Sequence, residues 1–198
     1  QDKKRLIVEV LAEIGPVAAP SVSHLVKLLV AEDERVRWAA SRALPRIISN
    51  WSQSEATREA IPHLVMALES PQMEVRLAAV STLGSLGTTT TQAVSALIET
   101  ALQDSHRQVR LAAVFALSHR GTAVKEAMSR FIEALANSDN QVRLLATEAL
   151  GNLGTAATQA IPLLVRVSLT DWDGNVRLIA EQALRKIDSR GPSTSLPW

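Results

Sequence analysis

The chain has no cysteine and no tyrosine among its 198 residues, and only 3% of it is aromatic. Without cysteine there is no disulfide framework, no thiolate zinc site and no thiol nucleophile. The scarcity of aromatics argues against strands. An apolar fraction of 46%, mostly Ala, Leu, Val and Ile, suits helices packed closely through small side chains. The 21 basic and 20 acidic residues leave a net charge of only +1, so no global field draws in nucleic acid or an anionic membrane. A partner must be recognised by local pattern. No apolar run approaches the ~20 residues that span a bilayer, and Gln1-Asp-Lys-Lys-Arg5 is not followed by a signal-peptide core. A soluble, cytoplasmic protein is expected, without a membrane partner. Gln1 in place of an initiator Met points to a fragment of a longer protein or a processed form.

What the chain does have is internal repetition. A Val-Arg pair recurs at Val36-Arg37, Val75-Arg76, Val109-Arg110, Val142-Arg143 and Val176-Arg177, at intervals of 39, 34, 33 and 34 residues. Three residues after each arginine stands Ala40, Ala79, Ala113, Ala146 or Ala180, and seven after it Leu44, Leu83, Leu117, Leu150 or Leu184. Self-similarity at this period is the signature of a tandem array, best counted as one unit.

Each unit reads as two helices. Six residues before the arginine lie Ala31, Ser70, Asp104, Asn137 and Asp171, four of which suit an N-cap, with Pro71 in the first helical position. Asp33, Asp139 and Asp173 complement the positive end of the helix dipole. Eleven residues after the arginine, Gly87, Gly121 and Gly154 suit the left-handed residue that ends a helix. Together these signals predict a second helix of about 16 residues. The first helix is announced by Ser21, Ala60, Ala93, Ala127 and Ala160, with Pro62 and Pro162 near its start, and its apolar residues recur at helical spacing, as in Met128, Phe131, Ile132 and Leu135.

Placing Lys4 in the register of the arginines aligns Leu11 with the repeated leucine and Gly15 with the terminal glycine, so 1–15 reads as a lone second helix, a half repeat. Hairpins are then expected at about 20–48, 59–87, 91–121, 124–154 and 158–188, within an array covering 1–190. An inserted loop at 49–58 contains Trp51 and maps to one edge. The Ser- and Pro-rich residues 191–198 read as an extended or disordered tail.

The segments Val75-Arg-Leu-Ala-Ala-Val-Ser-Thr-Leu-Gly-Ser-Leu-Gly87 and Val142-Arg-Leu-Leu-Ala-Thr-Glu-Ala-Leu-Gly-Asn-Leu-Gly154 resemble the second helix of a HEAT repeat, and Ala160-Ile-Pro-Leu-Leu-Val165 resembles the first. The likeness runs from Lys4 to Ile187 and is nearest to the short bacterial type, which also occurs in phycobilin lyases and in larger signalling proteins. It implies an all-α fold, a right-handed α-α superhelix of five hairpins plus the half repeat, with the second helices on the concave side. It also implies that Arg37, Arg76, Arg110, Arg143 and Arg177 are structural, bonding acidic or carbonyl groups of the inter-helix turns, with Asp33, Asp104, Asp139 and Asp171 nearby.

The candidate binding residues form a second row, one position past each arginine: Trp38, Leu77, Leu111, Leu144 and Leu178. At about 100° per residue they point away from the Val, Ala and Leu stripe, toward Arg42, Ser81, Phe115, Glu148 and Gln182. The row is either lateral packing between second helices, the first reading, or an exposed strip that receives a partner. For a partner, Trp38, Arg42, Arg46, Leu77, Leu111, Phe115 and His119 are the residues expected to bind, because exposed aromatic and arginine side chains anchor interfaces.

Signals for catalysis are weak. His24, His63, His106 and His119 show no ligand spacing, so no metal is expected. Asp171-Trp-Asp-Gly-Asn175 lacks the glutamate that closes a calcium loop and reads as a helix cap. No base is placed to activate the threonines of Gly87-Thr-Thr-Thr-Thr91, and there is no glycine-rich phosphate loop. The leading expectation is a non-enzymatic scaffold or regulatory binding module for a protein or peptide partner, without a cofactor. The alternatives are a phycobilin lyase-like or bilin-detaching factor, and a nucleic-acid-binding or repair protein, which would want Trp38, Trp51, Trp172 and Asp171 in one cleft.

Overall fold

The computed structural model describes residues 2–29, 31, 33–48, 55–86, 90–118 and 121–188. Every regular element among them is helical: α1 (Asp2–Ile14), α2 (Val22–Leu28), α3 (Glu34–Ile48), α4 (Glu55–Ala67), α5 (Met73–Leu86), α6 (Thr91–Gln103), α7 (Arg107–Ser118), α8 (Gly121–Ala134), α9 (Asn140–Leu153), α10 (Ile161–Thr170) and α11 (Gly174–Ile187). Short 3-10 stretches, Gly15–Ser21 and Gly154–Ala160, lead into α2 and α10. The all-α repeat class expected from the sequence is the class observed. Contacts divide the chain into two compact units, Gln1–Ala123 and Val124–Trp198, where the register had suggested one continuous array.

In the first unit the second helices α1, α3, α5 and α7 pack each on the next, α2, α4 and α6 form the accompanying row, and α2/α3, α4/α5 and α6/α7 are the hairpins. In the second unit α11 packs against α9 and against its hairpin partner α10. The registered alanines, Ala40, Ala79, Ala113, Ala146 and Ala180, are all completely buried. A methyl is all that fits there at close-packed density. Leu44, Leu83, Leu117 and Leu150 are buried as well, each contributing about 2 kcal/mol of apolar transfer. Val142 and Leu184, both in the second unit, are only half-buried.

Glycines allow two second-helix contacts to close. A Cβ added at Gly84 would stand 2.9 Å from the Ala116 Cβ, and one at Gly151 would stand 2.8 Å from both Cα and Cβ of Ala183. The two pairs occupy the same register, eight residues past Arg76 or Arg143 and six past Arg110 or Arg177. The α5–α7 and α9–α11 approaches are therefore the same packing solution, used once in each unit.

Helix ends depart from the sequence expectation in several places. The capping residues are four positions before the arginine, not six: Asp139 accepts from Gln141 N, Asp173 from Asn175 N and Val176 N, and Asp33 from Arg35 N. The residues six positions before the arginine sit one step earlier, in the turn. Their side chains accept the amide two residues on, as Ser70 does from Gln72, Asp104 from His106, Asn137 from Asp139 and Asp171 from Asp173. Short polar side chains favour this local bond, and it delays the helix start by two residues. Pro71 accordingly precedes α5 instead of opening it.

Gly154 has φ +58° and ends α9 as expected, and Gly15, at φ +65°, ends α1 in the same way. Gly121 instead opens α8, because α7 has already ended at Ser118, whose hydroxyl donates to the Phe115 carbonyl. Gly87 lies outside the described residues. Pro162 is at the start of α10, but Pro62 lies inside α4, which begins at Glu55 within the stretch expected to be loop. Pro62 is exposed, so the main-chain bond it cannot donate falls on the wet side of the helix. Trp51 and the tail 191–198 lie outside the described residues.

The half repeat ends differently from the rest of the array. Ile7 is 58% exposed, Val10 50% and Ile14 48%. Their counterparts in α3, Ala40, Ala43 and Ile47, are completely buried. α1 thus presents apolar side chains where the other second helices have cover.

Candidate functional site

The arginine ladder is the most regular polar feature. In all five copies Nη1 donates to the main-chain carbonyl six residues earlier: Arg37 to Ala31 at 2.7 Å, Arg76 to Ser70 at 2.9 Å, Arg110 to Asp104 at 2.8 Å, Arg143 to Asn137 at 2.9 Å and Arg177 to Asp171 at 2.6 Å. A guanidinium thereby holds the turn that feeds its own helix. Two arginines also reach the turn before the next second helix. Arg76 donates from Nε and Nη2 to Asp104 at 2.6 and 3.0 Å, and Arg143 to Asp171 at 2.8 and 2.9 Å. Both pairs are almost wholly buried. Asp104 and Asp171 are therefore hubs, the carboxylate taking the preceding arginine and the carbonyl the following one. Asp33 and Asp139 serve as helix caps.

These contacts set the electrostatics. The Arg143 hydrogen bond holds the Asp171 carboxyl below the usual carboxylate range against the opposing effect of burial, with the Asp173 amide assisting. At Asp104 burial is the larger single influence and pushes upward, yet the bonds from Arg76 and the His106 amide together bring the net shift down. Both arginines are raised, chiefly by the same bonds. Arg143 also lies over the Trp172 ring, 4.9 Å from its centroid. His106 Nδ1 stands 3.0 Å from Arg76 Nη2 and 2.8 Å from Ser105 Oγ. A guanidinium only donates, so Nδ1 is the acceptor in the contact with Arg76.

The Asp171 carboxylate accepts from Arg143 at both oxygens and from the Asp173 amide, while Asp173 caps α11 and accepts from the Asn140 carboxamide. His24 and His63 are exposed on α2 and α4. Among the described residues no group of three or more His, Asp or Glu side chains is placed to hold a metal ion. Nor is any helix among them long and apolar enough to cross a membrane.

The candidate binding row lies in the first unit. Trp38 is 53% exposed, with Arg42 Cζ 4.7 Å from its ring centroid, a cation-π contact that holds the indole upright on α3. Phe115 on α7 is 68% exposed. Leu77 and Leu111 are half-buried. Along the first unit the row is thus mixed, with half-buried leucines beside exposed aromatics. Arg46 is exposed and bonds Glu13 of α1 at 3.3 Å. His119 lies outside the described residues. In the second unit Leu178 is exposed and Leu144 half-buried.

Trp38 also lines a cleft of about 570 Å³ with Arg5, Arg35, Arg37, Gln72, Glu74 and Val75. Sequence reasoning missed Arg5, Arg35, Gln72 and Glu74. Arg5 was findable, because with Lys4 in the arginine register it occupies the same row as Trp38 and Leu77. Arg35 and Glu74 stand two positions before the arginine, where the register varies, and Gln72 stands four before it, where three other copies have aspartate.

Comparisons with solved structures place this architecture among helical repeat proteins. An engineered protein is 27% identical, with 94% of this chain and 91% of that one covered at a TM-score of 0.51. A designed armadillo repeat protein in complex with the peptide (KR)4 is 21% identical, with 93% and 91% covered at 0.52. The complex of CpcE and CpcF of phycocyanin lyase from Nostoc sp. PCC7120 is 20% identical, with 83% and 98% covered at 0.51. The last two show likeness of fold alone. No curated protein sequence matches the chain. The family model for HEAT repeats matches residues 48–118 and 94–185, which together take in well over half of the sequence. With its registered Val-Arg-Ala-Leu helices and paired-helix units, the chain belongs to the HEAT-repeat family.

Proposed function

We propose that this HEAT-repeat chain is a non-enzymatic binding module whose second-helix face, from Trp38 to Phe115, receives a protein or peptide partner. One observation carries the reading: two large aromatic side chains on the second-helix face, Trp38 in the row and Phe115 beside it, stand more than half exposed near half-buried leucines, and Arg42 stacks on the first. Rigid exposed aromatics beside arginine lose little entropy on binding and bury large apolar areas. Leaving them in water serves nothing in the folding of the hairpins themselves.

The arginine ladder supports the same reading by exclusion of another. All five guanidiniums already hold turn carbonyls, so the row that a phosphate backbone would need is committed to the fold. A bilin-handling role rests only on likeness of fold at 20% identity.

The test is photo-crosslinking in the source cell from a reactive residue at 38 or 115, compared with one at Met66, an equally exposed apolar position on the first-helix side (69%). The same partner captured at 38 and 115 and not at 66 is the expected result. Capture from 66 alone would move the interface to the first helices. Mixing the purified protein with a bilin should leave the pigment's absorbance unchanged, and a shifted spectrum would transfer the case to the bilin reading.

A further inference from the structure

The cleft beside Trp38 assigns the partner a chemistry. It is walled by the N-terminal turns of α1, α3 and α5, which pack in succession within the first unit, and by Gln72 in the turn that leads into α5. Arg5 and Arg35 line a space of about 570 Å³ with Glu74, and Arg37, whose Nη1 already holds the Ala31 carbonyl, adds its positive charge without being needed as a donor. That volume is ample for one or two side chains of an extended segment. Trp38 supplies an apolar wall, and Gln72 a carboxamide that can donate to and accept from a peptide group.

We propose that this cleft binds an acidic peptide segment, seating an Asp or Glu side chain among the arginines with its methylene stem against Trp38; the proposal rests on the binding-module reading and specifies its partner. A planar guanidinium matches a carboxylate in two parallel charge-assisted bonds. Arg5 is poised for this exchange, because its bond to Glu9 is a long one of 3.3 Å in a partly exposed pair, which a better-placed carboxylate displaces at little cost. Arg42, stacked on Trp38, extends the positive surface by one helical turn.

Glu74 decides between acidic partners. A nucleic acid presents a phosphate at every step, and a fixed carboxylate in the cleft repels the second of them. A peptide presents a main-chain N–H beside its acidic side chain, and Glu74 accepts from it. The positive lining also sets this cleft apart from a site for a basic peptide such as the (KR)4 bound by the designed armadillo protein.

The experiment is fluorescence anisotropy with three labelled probes of equal length: an alternating Glu-Asp peptide, (KR)4 and a single-stranded oligothymidine. Wild type, Arg35→Glu, Arg130→Glu and Phe115→Ala are compared at low salt and at roughly 0.5 M salt. Arg35 and Arg130 are both exposed, so each reversal leaves the fold intact and changes net charge equally. The acidic peptide should bind and the other two should not. Arg35→Glu should weaken that binding about tenfold, Arg130→Glu should leave it within about twofold, and high salt should weaken it. Equal losses from the two reversals would overturn the proposal, as would binding of either other probe at least as tightly as the acidic peptide, or no acidic binding at all. If partner capture at 115 persists, and Phe115→Ala but not Arg35→Glu weakens that partner, the binding face stands and the acidic occupant falls.

Discussion

Arg143 and Asp171, 28 residues apart, face each other fork to fork, with Nε 2.8 Å and Nη2 2.9 Å from the two carboxylate oxygens and both side chains over nine-tenths buried. The Asp171 carbonyl meanwhile accepts from Arg177, so one residue joins α9, the turn and α11. Asp171→Ala removes the carboxylate and strands a buried guanidinium. It should cost about 3 kcal/mol in urea unfolding, and Asp171→Asn less, because one oxygen acceptor remains. Equal midpoints for Asp171→Ala and wild type would mean that the pair contributes nothing net. Asp104→Ala, which strands Arg76, should behave alike in the first unit.

The same two carboxylates predict an acid limb. Their folded pKa values are depressed, so the stability they contribute is fully present above the unfolded value near about 4 and is lost as pH falls through the lower folded values. Unfolding midpoints should be flat from neutrality to about pH 5 and fall below about pH 4. The Asp104→Asn, Asp171→Asn double variant, although less stable at neutrality, should show a shallower fall. An acid slope as steep as that of wild type would assign it to other groups.

Gly151→Ala opposes two effects of different size. Helix propensity favours alanine by about 1 kcal/mol, but the new Cβ would stand 2.8 Å from the Ala183 Cα, a backbone atom that moves only with its helix. Overpacking of about 1–3 kcal/mol should win, giving a lower melting temperature. Gly154→Ala meets no atom within 4 Å and is destabilising for a different reason, its φ of +58°. Ala183→Gly, which removes the Cβ contact and leaves the Cα one, should rescue Gly151→Ala only in part and Gly154→Ala not at all.

Burial at the registered alanine distinguishes the array from its exposed end. Ala113→Leu overpacks a completely buried site and should cost about 1–3 kcal/mol by chemical denaturation. Val10→Lys, on the exposed stripe of α1, should stay within about 0.5 kcal/mol. A large loss for Val10→Lys would show that the α1 stripe is covered in solution.

Phe115→Ala tests the binding row directly. Phe115 is 68% exposed, so melting temperature and helicity should change little. Affinity for the crosslinked partner should fall by about 1 kcal/mol or more. Loss of stability with unchanged affinity per folded molecule would return Phe115 to packing.

The five-fold Val-Arg-Ala-Leu register by itself determined the helical hairpins, their order, the half repeat at α1 and the buried stripe, because 3.6-residue periodicity and the need to bury one face are local properties of the chain. It also put Trp38 and Phe115 forward, by their angle on the helix together with their aromatic type. The tertiary structure decided what those local signals cannot carry. Asp104 and Asp171 looked like caps of the helices that follow them, and their carboxylates went instead to arginines 28 residues earlier, a bond that exists only once successive second helices pack. Gly84 and Gly151 looked like ordinary helix interior until Ala116 and Ala183 closed on them. Arg5, Arg35 and Glu74 share no motif, and only the side-by-side packing of α1, α3 and α5 brings their charges to one cleft.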